Sequence, residues 1–155
     1  MITANERCQR AENIGRTLFK KDWGHRLTIS FTSDQYNSTD FSATATTPTY
    51  KTYVGEIKAY RDELYPRRSD KFPDYQIDYN KLEEISTKAK ENGSTPLLCV
   101  YFTDKTVFWD LSKFDWTKNN TWTYTNKYGY AYGQEKEYTH QAHIKVEDAV
   151  YVKEV

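Results

Sequence analysis

The chain has 155 residues, with 22 Lys and Arg against 22 Asp and Glu, so its formal net charge is zero. That length predicts one domain able to bury a core, and a 16% aromatic content excludes a disordered chain, which would be poor in such side chains. The longest apolar run, Leu97 to Phe102, is far too short to span a membrane, and two cysteines, Cys8 and Cys99, make neither a disulfide framework nor a four-thiolate zinc site. The polar N-terminal stretch lacks the apolar centre of a signal peptide, so the expectation is a soluble cytoplasmic protein.

The first element reads as a helix. Thr3-x-x-Glu6 has capping-box spacing, and Cys8, Ala11, Gly15, Leu18 and Phe19 follow at intervals of three and four up to the stop at Trp23-Gly24. Leu27, Ile29 and Phe31 alternate with polar residues, which predicts a half-buried strand. A polar turn, a Thr-rich strand over Asp40 to Thr46 and a more buried strand over Thr52 to Tyr60 complete an expected antiparallel meander. Arg61 to Ile77, with Pro66 and Pro73, reads as irregular chain. A second helix is expected from the capping-box spacing Asn80-x-x-Glu83, with Leu82, Ile85 and Ala89 as its buried side and Asn92-Gly93 as its end. Leu97–Phe102 and Thr106–Leu111 then read as two buried strands joined at Asp104-Lys105. The order is α-β-β-β-α-β-β. From Asp115 to Tyr138 aromatic residues are scattered among Asn, Thr, Gly and Lys, a loop or one more hairpin, and a closing strand is expected near Ala149–Val152. The core is thus placed at about 3–112, with an aromatic-rich C-terminal elaboration over about 113–155.

Asp40, Glu56 and Lys58 carry the chemistry. Residues two apart on a strand share a face, so Glu56 and Lys58 project together while Gly55, Ile57 and Ala59 face the other way. A carboxylate and an ammonium on an otherwise uncharged strand are costly if merely buried, and make sense if the carboxylate holds a cation and the lysine meets an anion. Asp40, at the start of the preceding strand, offers a second carboxylate. Ligands of oxygen alone suit Mg²⁺ or Mn²⁺ and not zinc. An acid-x-Lys triplet is common by chance in a chain this rich in charge, and a surface ion pair is the bland alternative. Its weight here comes from the elements around it.

An acid on the second strand and acid-x-Lys on the third, inside an α-β-β-β-α-β order, resembles the PD-(D/E)xK nuclease superfamily, whose fold is restriction-endonuclease-like. The match lies at Thr39-Asp40 and Glu56-Ile57-Lys58, and the topology match covers roughly residues 3 to 111; Thr39 stands where the signature has Pro. The resemblance implies an α/β (α+β) fold with a mixed central sheet flanked by helices, and a nuclease that hydrolyses phosphodiester bonds, with DNA the default substrate. It also implies Mg²⁺ or Mn²⁺ as cofactor, held by Asp40, Glu56 and the backbone carbonyl of Ile57, with Glu12 of the first helix as a further candidate ligand. Lys58 would position or help deprotonate the attacking water and stabilise charge on the phosphate.

Other residues carry weaker signals. Arg61, Arg67, Arg68 and Lys71 follow the third strand as a candidate phosphate-gripping loop, and Gln76 and Lys81 lie just before and within the second helix, where related folds often place site residues. The rings between Trp116 and Tyr138 could stack bases or sugars, or simply wrap the sheet edge. His140 and His143 lack a nearby third ligand, and His25 reads as a turn residue. Competing readings are a non-catalytic module that binds nucleic acid or glycan, and an accessory protein on a decayed nuclease scaffold. Zero net charge favours a brief encounter or a partner that delivers the substrate, and cutting both strands of a duplex would suit a homodimer.

Overall fold

Helix α1 (Ala4–Trp23) begins as its sequence dictates. The Thr3 hydroxyl accepts the Glu6 N–H and the Glu6 carboxylate accepts the Thr3 N–H, both at 3.1 Å, and at the far end the Gly24 N–H donates to the Lys20 carbonyl. In this computed structural model residues 3–32, 39–63, 66–70, 75–114, 120–126 and 136–155 are described, with the backbone alone at 4, 5, 120–126 and 136–139.

Strands β1 (Thr28–Phe31), β2 (Phe41–Ala45) and β3 (Lys51–Ala59) form the antiparallel meander, with Thr28 opposite Thr44 and Phe41 opposite Gly55. Next comes β4 (Tyr75–Asp78), and α2 (Tyr79–Asn92) follows it directly. Helix α2 ends on Gly93, whose φ of 62° is the left-handed cap that a side chain would oppose. Strand β5 (Thr95–Tyr101) then runs parallel to β3, and β6 (Lys105–Asp110) returns antiparallel to β5. Strands β7 (Asn120–Asn126) and β8 (Lys136–Ile144) pair with each other, and β9 (Tyr151–Glu154) closes against β6. Six strands make one mixed sheet in the order β1-β2-β3-β5-β6-β9, and three make a second in the order β4-β8-β7.

The large sheet is covered on both faces. On one side Phe19 of α1 packs with Phe41, Ile57, Ala59, Cys99, Tyr101 and Phe108. On the other, Leu82 and Ile85 of α2 pack with Leu98, Val100, Val107 and Trp109, and with Ala142 and Ile144 of the small sheet. Each fully buried Leu, Ile, Val or Phe contributes roughly 1.5–3 kcal/mol. Alternation along β3 therefore sends Ile57 and Ala59 towards α1 and leaves Glu56 and Lys58 on the α2 side. Cys99 is buried, and burial pushes its thiol well above the usual range, as suits an inert core residue.

Several elements depart from expectation. The stretch expected to be irregular ends in β4, whose pairing partner is β8, more than sixty residues along the chain, so no local signal marks it. Helix α2 is capped by Asp78 and not by Asn80: the Asp78 carboxylate accepts the Asn80 N–H at 2.9 Å, and the helix starts one residue early. The aromatic-rich segment contributes β7 and β8, while its side chains, and the backbone of 127–135, lie outside the described residues. The closing strand falls about two residues later than expected and completes the large sheet.

Gly55 sets the spacing of the central strands. A Cβ there would stand 2.0 Å from the Leu97 carbonyl oxygen and 3.1 Å from the Phe41 ring, so β3 can approach β5 only without one. Gly55→Ala is expected to destabilise the protein by roughly 3 kcal/mol. Urea denaturation checks this, and an unchanged midpoint would show that the strands separate freely.

Candidate active site

Strand β2 starts at Phe41, opposite Gly55, and Asp40 stands just before it, near enough to Glu56 to feel its charge. The Asp40 N–H donates to the Gly55 carbonyl at 2.8 Å, and its Oδ2 accepts the Ile57 N–H at 3.0 Å. The two backbone groups of a strand residue point to one edge, so the Ile57 carbonyl is turned to the Asp40 side of β3. Glu56 is 7% exposed, and each of its oxygens meets an ammonium: Lys58 Nζ stands 3.1 Å from Oε1, and Lys81 Nζ, from the first turn of α2, stands 3.2 Å from Oε2. Lys58 is half exposed.

Like charges held near each other repel, and partial burial sharpens the repulsion. Asp40 registers both. Burial and then the Glu56 charge raise its carboxyl pKa, against the Ile57 hydrogen bond and the Lys58 charge, which lower it. Burial alone would lower the Lys58 ammonium, but the Glu56 charge and hydrogen bond, with help from Asp40, hold it above the ordinary lysine value. The result is a partly desolvated quartet of two carboxylates and two ammonium groups at the edge of a cleft.

The cleft has a volume of about 480 Å³ and is lined by Glu56 and Lys58 of β3, Tyr75 and Gln76 of β4, and Asn80, Lys81 and Glu84 of α2. A larger depression of about 640 Å³ lies along the outer face of α2 among Glu83, Glu84, Lys88 and Glu91. Its walls are solvated side chains of a single helix and bring no groups of different elements together, so the smaller cleft is the one with chemical content.

The candidate residues divide. Glu56, Lys58, Gln76 and Lys81 are brought together in the cleft, while Asp40 is held beside β3 by the Ile57 N–H. Glu12 forms an ion pair with Arg16, one turn along α1, and its charge is felt at Asp40. Among the described residues, however, no three acidic, histidine or cysteine side chains gather in a metal-holding group, so Glu12 does not complete one. Arg67 packs on two rings, its guanidinium 5.0 Å from the centre of the Tyr75 ring and 5.4 Å from that of Tyr60.

Two of the candidate arginines are engaged elsewhere. Arg61 donates from Nε to the Phe102 carbonyl and from its terminal NH₂ to the Thr106 hydroxyl, each at 2.8 Å, while its guanidinium lies over the Tyr101 ring. Arg68 is exposed and makes a two-pronged pair with Asp70. Lys71 lies outside the described residues.

Sequence reasoning missed Tyr75, whose hydroxyl lies 2.9 Å from that of Tyr60 and whose phenol is raised well above its usual value by burial and by Tyr60. Its position depends on the β4–β8 pairing, for which the local sequence carries no cue. The same pairing sets Gln76 opposite His143, and His140 stacks on Tyr79 at the start of α2.

No family model matches the chain, and no curated protein matches it significantly. Among solved structures it is similar to Archaeoglobus fulgidus Hjc, a Holliday junction resolvase from an archaeal hyperthermophile. The TM-score is 0.53 and the identity 10%, over 94% of this chain and 92% of that one. At that identity the likeness is one of fold. It agrees with the mixed central sheet and flanking helices described above, the restriction-endonuclease-like architecture expected from the sequence.

The raised Asp40 pKa has a definite sign. Ionising this carboxyl is harder in the folded chain than in the unfolded one, so without a bound cation stability falls as the pH rises from about 3.8 through the folded value. Asn at this position keeps an oxygen for the Ile57 N–H and removes the charge. Asp40→Asn is therefore expected to melt roughly 2–4 °C higher than wild type at pH 7 in a chelator. The gap should close as the pH drops below 3.8, where Asp40 is protonated in both states. Thermal unfolding across that range checks it; a variant that melts lower at pH 7 would contradict the repulsion.

Proposed function

We propose that the protein is a metal-dependent nuclease that hydrolyses phosphodiester bonds, with DNA as its default substrate. The observation that carries this reading is the buried Glu56 carboxylate with the Lys58 ammonium beside it at the cleft, and a second carboxylate, Asp40, hydrogen-bonded to the residue between them. Support at the level of fold comes from the similarity to a resolvase, a protein that acts on branched DNA by name.

The donor set fits a hard divalent cation. Two carboxylates and the Ile57 carbonyl are all oxygen ligands, too few to enclose a calcium ion and suited to Mg²⁺ or Mn²⁺, which retain water. The repulsion that raises the Asp40 pKa is also what a cation between the two carboxylates would relieve. When bound, such an ion polarises a phosphoryl oxygen and acidifies a bound water.

The chain's own groups supply the rest. Lys58, held protonated by Glu56, presents a positive charge at the cleft where a phosphate gains negative charge during hydrolysis. The Ile57 N–H engages one Asp40 oxygen and leaves the other for a cation. Gln76 and Asn80 offer neutral donors on the opposite wall, able to orient a phosphate or a sugar without adding charge. A module that only gripped an anion would gain nothing from two desolvated carboxylates, which would repel it.

The test compares wild type with Glu56→Gln and Lys58→Met on labelled single-stranded, duplex and branched DNA and on RNA, with Mg²⁺, with Mn²⁺ and with EDTA. The expected result is cleavage that needs metal and falls at least about a hundredfold in either variant with circular dichroism unchanged. Binding without cleavage in every condition would move the protein to the binding-module reading. Cleavage that survives Glu56→Gln would place the chemistry elsewhere.

A further inference from the structure

Two lysines compete with any divalent cation for the Glu56 carboxylate. Glu56 is the most buried of the four charged groups, and both of its oxygens are already matched by ammonium groups. Two carboxylates and two ammoniums sum to zero. A cation arriving with both lysines in place would leave the cleft doubly positive and would stand close to an ammonium at Glu56, which is unfavourable at reduced dielectric.

The two lysines are not equivalent. Lys58 shares β3 with Glu56 and is hydrogen-bonded to Oε1, so its backbone is fixed relative to the carboxylate. Lys81 reaches Oε2 from another element, the first turn of α2. Its 3.2 Å contact lacks the alignment of a hydrogen bond, so Oε2 is buried with a charge beside it and no directed donor. Lys81 is 30% exposed and lines the cleft next to Asn80, and its four-carbon stem can carry the ammonium from Glu56 to a ligand in the cleft.

We propose that Lys81 is a substrate-responsive latch: without nucleic acid its ammonium occupies the Oε2 side of Glu56 and keeps metal affinity low, and a substrate phosphate in the cleft draws it away and opens that oxygen to the metal. This rests on the nuclease reading of the Asp40–Glu56 site. It makes metal and nucleic acid mutually dependent, because whatever raises the affinity of one must raise that of the other by the same factor. The free protein then keeps its buried carboxylate paired, and the complete site assembles on the substrate.

The test reads Mn²⁺ binding and not turnover. Free Mn²⁺ is followed by electron paramagnetic resonance during titration of wild type, Lys81→Met and Lys81→Arg, each alone and with a saturating phosphorothioate duplex that resists hydrolysis. In wild type the duplex should tighten Mn²⁺ about tenfold. Lys81→Met should bind Mn²⁺ about tenfold more tightly than wild type when free, and the effect of duplex should fall to about twofold or less. Lys81→Arg, which keeps the charge, should stay close to wild type. Lys81→Gln serves if the Met variant does not fold, and the free-state comparison decides alone if a variant no longer binds duplex. Mn²⁺ bound through Glu56, so lost in Glu56→Gln, but no tighter in Lys81→Met, would overturn the latch and leave the metal site standing. No Mn²⁺ binding by wild type in either state, or binding indifferent to Glu56→Gln, would overturn the site and the latch together.

Discussion

The structure turns on one buried carboxylate. Glu56 sits in the third strand of a six-stranded sheet with core residues before and after it, at 7% exposure, where an unpaired charge would be severely destabilising. Its surroundings are arranged around that fact. Lys58 balances it from the same strand and Lys81 from the helix that packs over it. Gly55, one residue earlier, lets β3 lie close to β5, and Gly15 lets α1 press on Ile57 and Ala59 from the other face. Because the backbone is held from both faces, the direction of the Glu56 side chain is fixed by packing instead of being left to the flexible charges around it.

Asp40 adds the tension. A hydrophobic or neutral residue near Glu56 would have been the stabilising choice, since the two compensating ammoniums already satisfy one carboxylate. The chain instead places a second acid there and fixes it with a backbone N–H, leaving its pKa raised by burial and repulsion. Local stability is surrendered at a point where the rest of the fold is well packed. That pattern is what a site organised for a cation requires and what a purely structural ion pair does not.

Much of this was legible in the sequence because it depends on short-range pattern. The Thr3–Glu6 box, the alternation of Leu27, Ile29 and Phe31, and the Glu56-x-Lys58 spacing are properties of adjacent residues, and the structure keeps them. The nearness of Asp40 to Glu56 follows from the meander, whose β2–β3 pairing ends at Phe41 and Gly55, the residues next to them. What could not be read depends on contacts between distant segments. Strand β4 exists because Tyr75 to Asp78 find Ile144 to Gln141, and with β4 come Tyr75 and Gln76 in the cleft wall. Arg61 is similar: its place in a basic cluster is a local pattern, but its bonds to the Phe102 carbonyl and the Thr106 hydroxyl join distant segments.

The charge balance also constrains how a polyanion can reach the cleft. With zero net charge there is no long-range field to draw nucleic acid in, and the outer face of α2 carries Glu83, Glu84 and Glu91 beside the approach. If the proposed substrate is right, attraction is local, from Lys58 and Lys81 in the lining of the cleft. In the free protein the two lysines are engaged with Glu56, so even this local attraction is largely neutralised at a distance. It becomes available only to a phosphate close enough to compete with a buried carboxylate for an ammonium that is already partly desolvated. Selectivity then rests on shape: a strand that can enter between β4 and α2 meets the cations, and one that cannot meets an acidic helix face. On the proposed nuclease reading, neutrality acts at the scale of the cleft as a filter against unproductive encounters.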